Sequence, residues 1–425
     1  MVKRILAIIL VNVFILNYGF SFSQDILSLD PILKEAIQNN PDILAAKNRW
    51  QAAKARIPQA KSLDDPVLGF TFEKARGSPF QLGKTMSEDR MLSVQQFFPF
   101  FGKLSLKGKI ALVESQMFAA EYKNKELEVI NQVKNAYYDL FMNDKERQLN
   151  QESLALLESI AKTAEAKYAV GDISQEEVYK IHVEAARLNN AIKNLEQEKL
   201  SKQTRLNTLL NRDPENPLGV FELSTDVSFA NKDIRSLYQA TILNQPELII
   251  FSYAVEKNRY AKSLAKRSFF PDLIAGILQR GITTGTIGPW DLMLSFTVPL
   301  WFWTKQRYQV KEAIDNLAEA EAAYKAMQNR AFSEVRDLAA KIEIAKNKIK
   351  LYQSELIPIL ESSIEVSLAA FRSGKGDFMA LLDNQRMLVE AKMDYYKALV
   401  EYNMNLADLE RTVGLSLTEK SEVKK

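Results

Sequence analysis

The sequence predicts a mainly α-helical protein in which very long coiled-coil helices alternate with pairs of short β-strands. Three observations lead to this fold class. Apolar residues between Ala331 and Ala370 recur at alternating steps of four and three residues. Residues 109–170 contain neither glycine nor proline. The same order of predicted elements occurs twice along the 425 residues, which indicates two tandem repeats.

The apolar stripe is the clearest coiled-coil signal. Its members are Ala331, Val335, Leu338, Ile342, Ala345, Ile349, Tyr352, Leu356, Ile359, Ser363, Val366 and Ala370, and only Ser363 is polar. A repeat of 3.5 residues stays on one side of a helix only if the helix supercoils left-handedly. The stripe therefore predicts that this helix packs along other long helices.

Residues 1–23 have the pattern of a cleaved signal peptide. Lys3 and Arg4 precede an apolar run from Ile5 to Leu16, and Ser21 and Ser23 occupy the positions that a signal peptidase reads. The alternative is a membrane-anchoring helix, but the apolar run is short for a span. No later stretch is long and apolar enough, so a membrane crossing would need strands.

The first repeat is predicted over residues 24–213. A helix from Leu29 is interrupted at Asn40-Pro41 and ended by Pro58 and Asp64-Asp65-Pro66. Period-two alternation predicts the strands, and helical spacing predicts the long helices that follow. The predicted strands cover about 67–74 and 90–98, and the long helices cover about 103–170 and 174–211.

The second repeat is predicted over residues 233–415, after a linker at 214–232 that is punctuated by Pro, Asn and Asp. Its strands are predicted at about 271–280 and 291–300, and its long helices at about 304–372 and 377–413. We expect the charged tail, 416–425, to be flexible.

Several chemistries are excluded by composition. The chain has no cysteine, which removes thiolate nucleophiles, disulfides, cysteine zinc sites and a lipid anchor on an N-terminal Cys. His182 is the only histidine, and we interpret it as a surface residue. No glycine-rich phosphate loop is found. We predict neither enzymatic activity nor a cofactor. The net charge of +3, without a basic face that stands out, argues against nucleic acid.

The order of elements resembles the TolC family of outer membrane efflux proteins over essentially the whole mature chain. The most specific motifs are the paired helical turns 168–174 and 371–377 and the strand exits at Pro99 and Pro299. Residues 96–103, Gln-Phe-Phe-Pro-Phe-Phe-Gly-Lys, are similar to the heavy-metal (CusC/CzcC-like) branch.

This resemblance implies a homotrimer with a twelve-stranded β-barrel in the outer membrane and an α-helical tunnel across the periplasm. It also implies a periplasmic adaptor, an inner-membrane pump of the RND type or similar, and export of heavy-metal cations or drugs. Four strands cannot close a barrel, and open strand edges are not tolerated in lipid. If these strands are in the membrane, the chain must therefore oligomerise.

Aromatic residues follow the predicted strands and suit a membrane interface. They are Phe97, Phe98, Phe100, Phe101, Trp301, Phe302 and Trp303. The alternative is a soluble hairpin domain in which these aromatics form the core.

The helical turns are the other candidate site. Gly171 and Gly374 fit left-handed helix caps. The family docks adaptors at these tips, so the resemblance implies adaptor contacts for Val170, Gly171, Ser174, Arg372, Gly374 and Asp377. Simple capping is the alternative. Acidic residues six and nine positions past the second tip glycine line the aperture in the family. Here Asp383 matches and Ala380 does not, and the alternative for Asp383 is a solvated helix residue.

A second function class stays open on the sequence alone. Long coiled-coil helices also suit a periplasmic structural or adaptor protein without a barrel. An adaptor should carry glycine-rich lipoyl-like and compact β segments, which the sequence does not show.

Overall fold

A computed structural model describes residues 26–72, 90–221, 223, 233–281, 288–373, 375–376 and 378–417. The predicted signal peptide and residues 418–425 of the predicted tail lie outside this part. The chain divides into two compact units. The first contains Met1–Asn40, Ile130–Ser228 and Lys341–Ala407, and the second contains Pro41–Val129, Phe229–Ala340 and Asp408–Lys425.

Most of the described chain is helical, and its strands form a two-stranded and a four-stranded sheet. The helices are α1 (Leu29–Asn39), α2 (Pro41–Lys61), α3 (Lys103–Ala169), α4 (Gln175–Leu209), α5 (Ile234–Asn244), α6 (Pro246–Arg267), α7 (Gln306–Leu351), α8 (Ile357–Arg372) and α9 (Phe378–Val413). The strands are β1 (Ile26–Leu27), β2 (Val67–Phe72), β3 (Arg90–Phe98), β4 (Val220–Phe221), β5 (Leu273–Arg280) and β6 (Trp290–Phe296). Within the described residues, no helix is both long enough and apolar enough to cross a bilayer.

Proline has different effects at two points of the first helical segment. The break at Asn40-Pro41 is confirmed, since Asn40 has an extended backbone and α2 begins at Pro41. The Asn40 amide donates to the carbonyl of Leu209 (2.9 Å), at the end of α4. The prediction that Pro58 ends the helix was wrong. Pro58 lies inside α2, which continues to Lys61 because a proline removes only one helical donor.

The second compact unit contains a four-stranded antiparallel sheet in the order β2-β3-β5-β6. Val94 is opposite Leu68 on one side and Ile277 on the other, and Ile277 is opposite Leu292. Directly opposed residues share a face, so this register aligns these four apolar residues in one row on one face of the sheet. Strands β2 and β6 are the edges of the sheet.

The ends of the predicted strands need correction. Strand β5 begins at Leu273 rather than at 271, and β6 ends at Phe296 rather than at 300. Pro271 and Pro299 lack the N–H that a ladder requires, which explains both differences. Residues 73 and 74, predicted as the end of β2, lie outside the described part.

The predicted linker is also partly structured. Strand β4 lies inside 214–232 and pairs in parallel with β1. Phe221 is only 4% exposed, and its ring meets Tyr137 edge-on at 5.1 Å between centroids. The buried Phe221 ring and the pairing with β1 hold this segment against the first unit.

The helix predicted over 304–372 is interrupted. Residues Tyr352–Leu356 form one π turn between α7 and α8, and the N–H of Ile357 donates to the carbonyl of Tyr352. Pro358 follows and has no N–H for the carbonyl four residues earlier, so the wider turn replaces a normal helical turn here.

The π turn changes which residues of the predicted stripe are buried. The stripe is buried at Ala331, Val335, Leu338, Ile342, Ala345 and Ile349, as predicted. Beyond the turn, Val366 is 71% exposed, while Ile364 and Phe371 are buried. The extra residue in the wider turn therefore shifts the buried face by one position, and the predicted continuation through Ile359 and Val366 was wrong.

Candidate functional site

The turn between α3 and α4 is a glycine-capped helical hairpin. Asp172 donates its N–H to the carbonyl of Lys167 (2.9 Å), and Gly171 donates to Tyr168 (3.0 Å). This pair of bonds is a Schellman cap, which needs a left-handed residue. Gly171 provides it with φ of +84°, and an added Cβ would meet no atom within 4 Å. Conformation, rather than space, selects glycine here.

The first turn also presents an exposed surface. The Ser174 hydroxyl accepts a hydrogen bond from the N–H of Glu177 (3.3 Å), so Ser174 is the N-cap of α4. Val170 is 73% exposed and Tyr168 is 45% exposed. The capping function of Gly171 and Ser174 is confirmed, and Val170 is available for contact.

The second turn uses a glycine that the sequence interpretation did not select. Gly374 and Asp377 lie outside the described residues. Gly376 approaches the end of α8 closely, because a Cβ there would lie 2.8 Å from the Phe371 nitrogen and 2.9 Å from Ala370. Backbone atoms cannot move aside for a side chain, so this position requires glycine. The only sign of this requirement in the sequence was the second glycine of the Gly-Lys-Gly segment.

The two turns are joined by a buried core in the first compact unit. Phe371 and Phe378 are each 2% exposed, with ring centroids 6.0 Å apart. They pack with residues of α3, α4 and α9, namely Leu157, Ile160, Ala161, Ala164, Val178, Ile181, Leu381 and Leu382. We call this set the tip core, because it fixes both turns as one body.

Lys167 adds a polar bond between the turns. Its ammonium donates to the carbonyl of Phe371 (2.6 Å) and lies 4.9 Å from the centre of the Phe371 ring. A cation at the C-terminal end of α8 also interacts favourably with the helix dipole.

We expect Lys167→Met to loosen the tips without unfolding the protein. The substitution keeps most of the apolar stem but removes a charge-assisted hydrogen bond of about 1.5–3 kcal/mol. Hydrogen exchange of amides 368–373 should become roughly tenfold faster. Lys162→Met, at an exposed position of the same helix, is the control, and equal exchange in the two variants would contradict the assignment.

Asp383 lies on the exposed side of α9, and 65% of its side chain is accessible. Its carboxylate is 3.9 Å from Arg386, which is bound more tightly by Glu184 on α4, at 2.8 Å. The hydrogen bonds that Arg386 donates to the Glu184 carboxylate raise the pKa of Arg386 above its ordinary value. Asp383 is thus partly neutralised in a single chain, and its position relative to an aperture stays a prediction.

His182 is an exposed residue, as the sequence indicated. Its Nε2 lies 3.2 Å from a carboxylate oxygen of Glu165 on the other arm of the α3–α4 hairpin, and both side chains are more than half exposed. Among the described residues, no group of three or more His, Asp or Glu is arranged to hold a metal ion.

The sheet of the second unit has its apolar face outward. Leu292 is 72% exposed and Phe70 is 70% exposed. Other exposed residues of the same face are Leu68, Val94, Ile277, Trp290, Leu294 and Phe296. The opposite face is mixed, and it carries the polar residues Ser93, Gln95, Asp291 and Ser295 beside the apolar residues Met91, Ile274, Leu278 and Met293. On that face Asp291 pairs with Arg280 at 2.6 Å. A soluble sheet places these two kinds of face the other way round.

The predicted interface aromatics lie beside this sheet. Phe101 is 87% exposed, and Trp301, Phe302 and Trp303 are each at least 50% exposed. Phe97 and Phe100 are the exceptions, because both are only partly exposed, and the Phe100 ring stacks on Phe270 at 4.5 Å. Exposure of several large aromatic rings at the end of an apolar face contradicts the alternative in which they form a core.

Positive charge is concentrated where the helices meet the sheet, which corrects the expectation that no basic face stands out. The adjoining ends of α2, α3, α6 and α7 each carry three cations and no carboxylate over 54–61, 103–109, 262–267 and 305–311. The cations are Lys54, Arg56, Lys61, Lys103, Lys107, Lys109, Lys262, Lys266, Arg267, Lys305, Arg307 and Lys311. We call these twelve residues the basic junction.

Comparison with known families decides the identity. The sequence profile of the outer membrane efflux protein family matches residues 32–212 and 237–415. The chain belongs to the outer membrane efflux protein family. A member of this family is an outer membrane efflux channel, and the match decides against the periplasmic adaptor alternative.

Solved structures share the fold of this efflux protein. The outer-membrane channel OprN aligns with a TM-score of 0.78 at 17% identity, over 92% of this chain and 90% of that one. VceC of Vibrio cholerae gives 0.76 at 16% identity, over 92% and 96%. CusC gives 0.77 at 16% identity, over 91% and 92%. A search of curated protein sequences gave no match.

Proposed function

We propose that three copies of this chain form a passive exit duct through the outer membrane. Each copy consists of two tandem repeats, and each contributes the four strands of its sheet. Three copies of four strands give a closed barrel of twelve strands. The long helices line a tunnel that extends into the periplasm, as in a family whose channels are trimeric.

The observation that carries this proposal is the outward apolar face of the sheet. Leu68, Val94, Ile277 and Leu292 form one row across all four strands, and each is at least 40% exposed. Lipid is the solvent that such a face requires, and closure with further strands satisfies the two open edges. The described part of one chain has no further strands in this sheet, so we propose that neighbouring copies supply them.

A second feature of the helices supports assembly. Ile344 and Leu351 lie on α7, Ile359 and Val366 lie on α8, and the four side chains are exposed by 42–71%. Their spacings are seven, eight and seven residues, and the eight includes the extra residue of the π turn. This is an apolar coiled-coil seam, and we propose that a helix of the neighbouring copy covers it.

The helical tips serve as the docking end in this proposal. Val170, Ser174 and Arg372 are placed on or beside two turns that one core holds together, and we propose that they contact a periplasmic adaptor. An inner-membrane pump supplies the energy, so the duct itself needs no turnover. Asp383 contributes to a cation-attracting aperture if its three copies face one axis. The cargo we propose is heavy-metal cations or drugs, and the sequence Gln96–Lys103 is similar to the heavy-metal branch.

The proposal is tested by the oligomeric state of the detergent-solubilised chain. We expect a mass of three chains, and we expect Val366→Glu to raise the dissociation constant at least tenfold, since burial of one valine contributes about 1.5–3 kcal/mol. Val170→Glu makes the same change at an equally exposed valine of the first helical turn, outside the seam, and should leave the trimer intact. A stable monomer, or one that needs no detergent, would refute the duct.

A further inference from the structure

We infer that the basic junction binds an anionic phospholipid. One or more of its cations hold the phosphate, and an apolar cleft beside it takes an acyl chain. This inference rests on the proposed function, because it places the junction at the periplasmic surface of the outer membrane.

The twelve cations are separated in sequence, but the fold brings them together within the second unit. A Cβ on Gly108 of α3 would lie 2.4 Å from the Lys61 side chain of α2. A Cβ on Gly102, just before α3, would overlap the guanidinium of Arg267 at the end of α6. Lys103 and Lys305 line the same cleft of about 390 Å³. The four helix ends therefore form one continuous basic surface.

Most of this charge is available to a ligand. Lys103 is neutralised by Asp272 at 2.7 Å, and the Lys54 ammonium lies 3.8 Å from the centre of the Trp50 ring. Lys107, Lys266 and Lys305 are exposed, and none forms an ion pair with a described residue. Uncompensated cations this close together repel each other, and an anion relieves that repulsion.

An apolar cleft of about 500 Å³ adjoins the same cations. Its walls include Leu63, Phe98, Phe101, Leu104, Leu273 and Phe296. Phe98, Leu273 and Phe296 form one row of the outward sheet face, so the cleft opens towards the lipid-facing side. Arg267 donates to the carbonyl of Phe101, which places a guanidinium at the edge of this cleft.

The basic junction and the apolar cleft together select the ligand. A phosphate anion alone would leave the apolar cleft without an occupant, and a neutral lipid would leave the cations without a counter-charge. A diacyl phospholipid with a net negative headgroup matches both surfaces. Each cation near a membrane adds to the attraction for anionic lipid, so a cluster of cations is selective even when salt partly screens several of them.

The test uses the full-length protein in vesicles of phosphatidylglycerol and phosphatidylcholine, with one lipid brominated at a time. Bromine quenches the fluorescence of nearby tryptophans, and Trp301 and Trp303 lie directly before the cations of α7. We expect phosphatidylglycerol to be preferred over phosphatidylcholine by roughly fivefold or more at low salt, and less at high salt.

Two matched variants locate the effect. The triple variant Lys107→Gln, Lys266→Gln and Lys305→Gln should lower the preference at least threefold. The triple variant Lys162→Gln, Lys193→Gln and Lys350→Gln removes three exposed lysines of the other unit and should leave the preference unchanged. Inorganic phosphate at equal ionic strength should not compete, because it has no acyl chain.

The outcomes separate this inference from the proposed function. Equal quenching by both lipids in the wild-type protein, or an equal response of the two triple variants, overturns the lipid site and leaves the duct intact. Competition by inorganic phosphate replaces the lipid with a free-anion site. Absence of quenching by either lipid shows that the aromatics are not in a bilayer, and it refutes the duct itself.

Discussion

Replacement of Leu292 by arginine is expected to abolish assembly in the outer membrane. Leu292 is in the central row of the outward sheet face and is 72% exposed. Arginine on the lipid face of a barrel near the bilayer midplane costs about 2–4 kcal/mol per chain. The same change on a water-exposed surface usually alters stability by less than about 0.5 kcal/mol. Folding into lipid vesicles, followed by denaturant titration, distinguishes the two cases.

Leu278→Arg is the matched control for that experiment. Leu278 is on the neighbouring strand and faces the other way, opposite Asp291. Its arginine would be next to a carboxylate on the polar side, so we expect a loss below about 1 kcal/mol and normal membrane assembly. A reversed order, with Leu278→Arg the more harmful, would show that the outward face is not in lipid.

The second large effect is expected for Phe371→Ala, which should unfold both helical tips. Phe371 is 2% exposed in the tip core, and truncation of a buried phenylalanine costs about 3–5 kcal/mol. Hydrogen exchange should increase in residues 157–182 and 368–382, while the sheet of the other unit stays protected. We expect export to be lost because the docking surface no longer has a fixed shape.

Arg372→Ala provides the comparison at the next residue. Arg372 is exposed, so its removal should leave the protection of the tip core unchanged. If Arg372 contacts an adaptor, as we propose, export should still fall. Loss of protection in Arg372→Ala would mean that the residue stabilises the turn, and unchanged export would remove it from the docking surface.

Periodicity allowed most of the long helices to be predicted from the sequence. It did not predict the one-residue shift of the buried face that follows the π turn. The stripe through Ile349 is buried as predicted, because each step of three or four residues returns to the same side of a regular helix. Pro358 was visible in the sequence, yet a proline indicates only a lost donor. Whether the helix kinks, ends or opens into a π turn depends on packing around Tyr352, whose hydroxyl donates to Asp394 at 3.0 Å.

The strands and the candidate site were predictable to different degrees. Alternation identified the apolar face of β6. The prolines showed roughly where β5 begins and β6 ends, but the exact end residues follow only from the pairing register. Gly171 followed from a local cap, whereas the need for Gly376 arises from a close approach to Phe371 that local patterns do not encode. The basic junction was missed because four separate segments supply it and the net charge of +3 hides it.

The pairing of β3 with β5 has a consequence for biogenesis. Phe98 is opposite Leu273, so the two central strands are separated by 175 positions of chain, 273 − 98. Until the later strand has been synthesised and exported, the earlier pair is a lone hairpin, which is at best marginally stable in water. An N-terminal fragment that stops before residue 273 would therefore expose the unpaired backbone N–H and C=O groups of β3. We expect such a fragment to be a substrate for holding chaperones and proteases rather than a half-built pore.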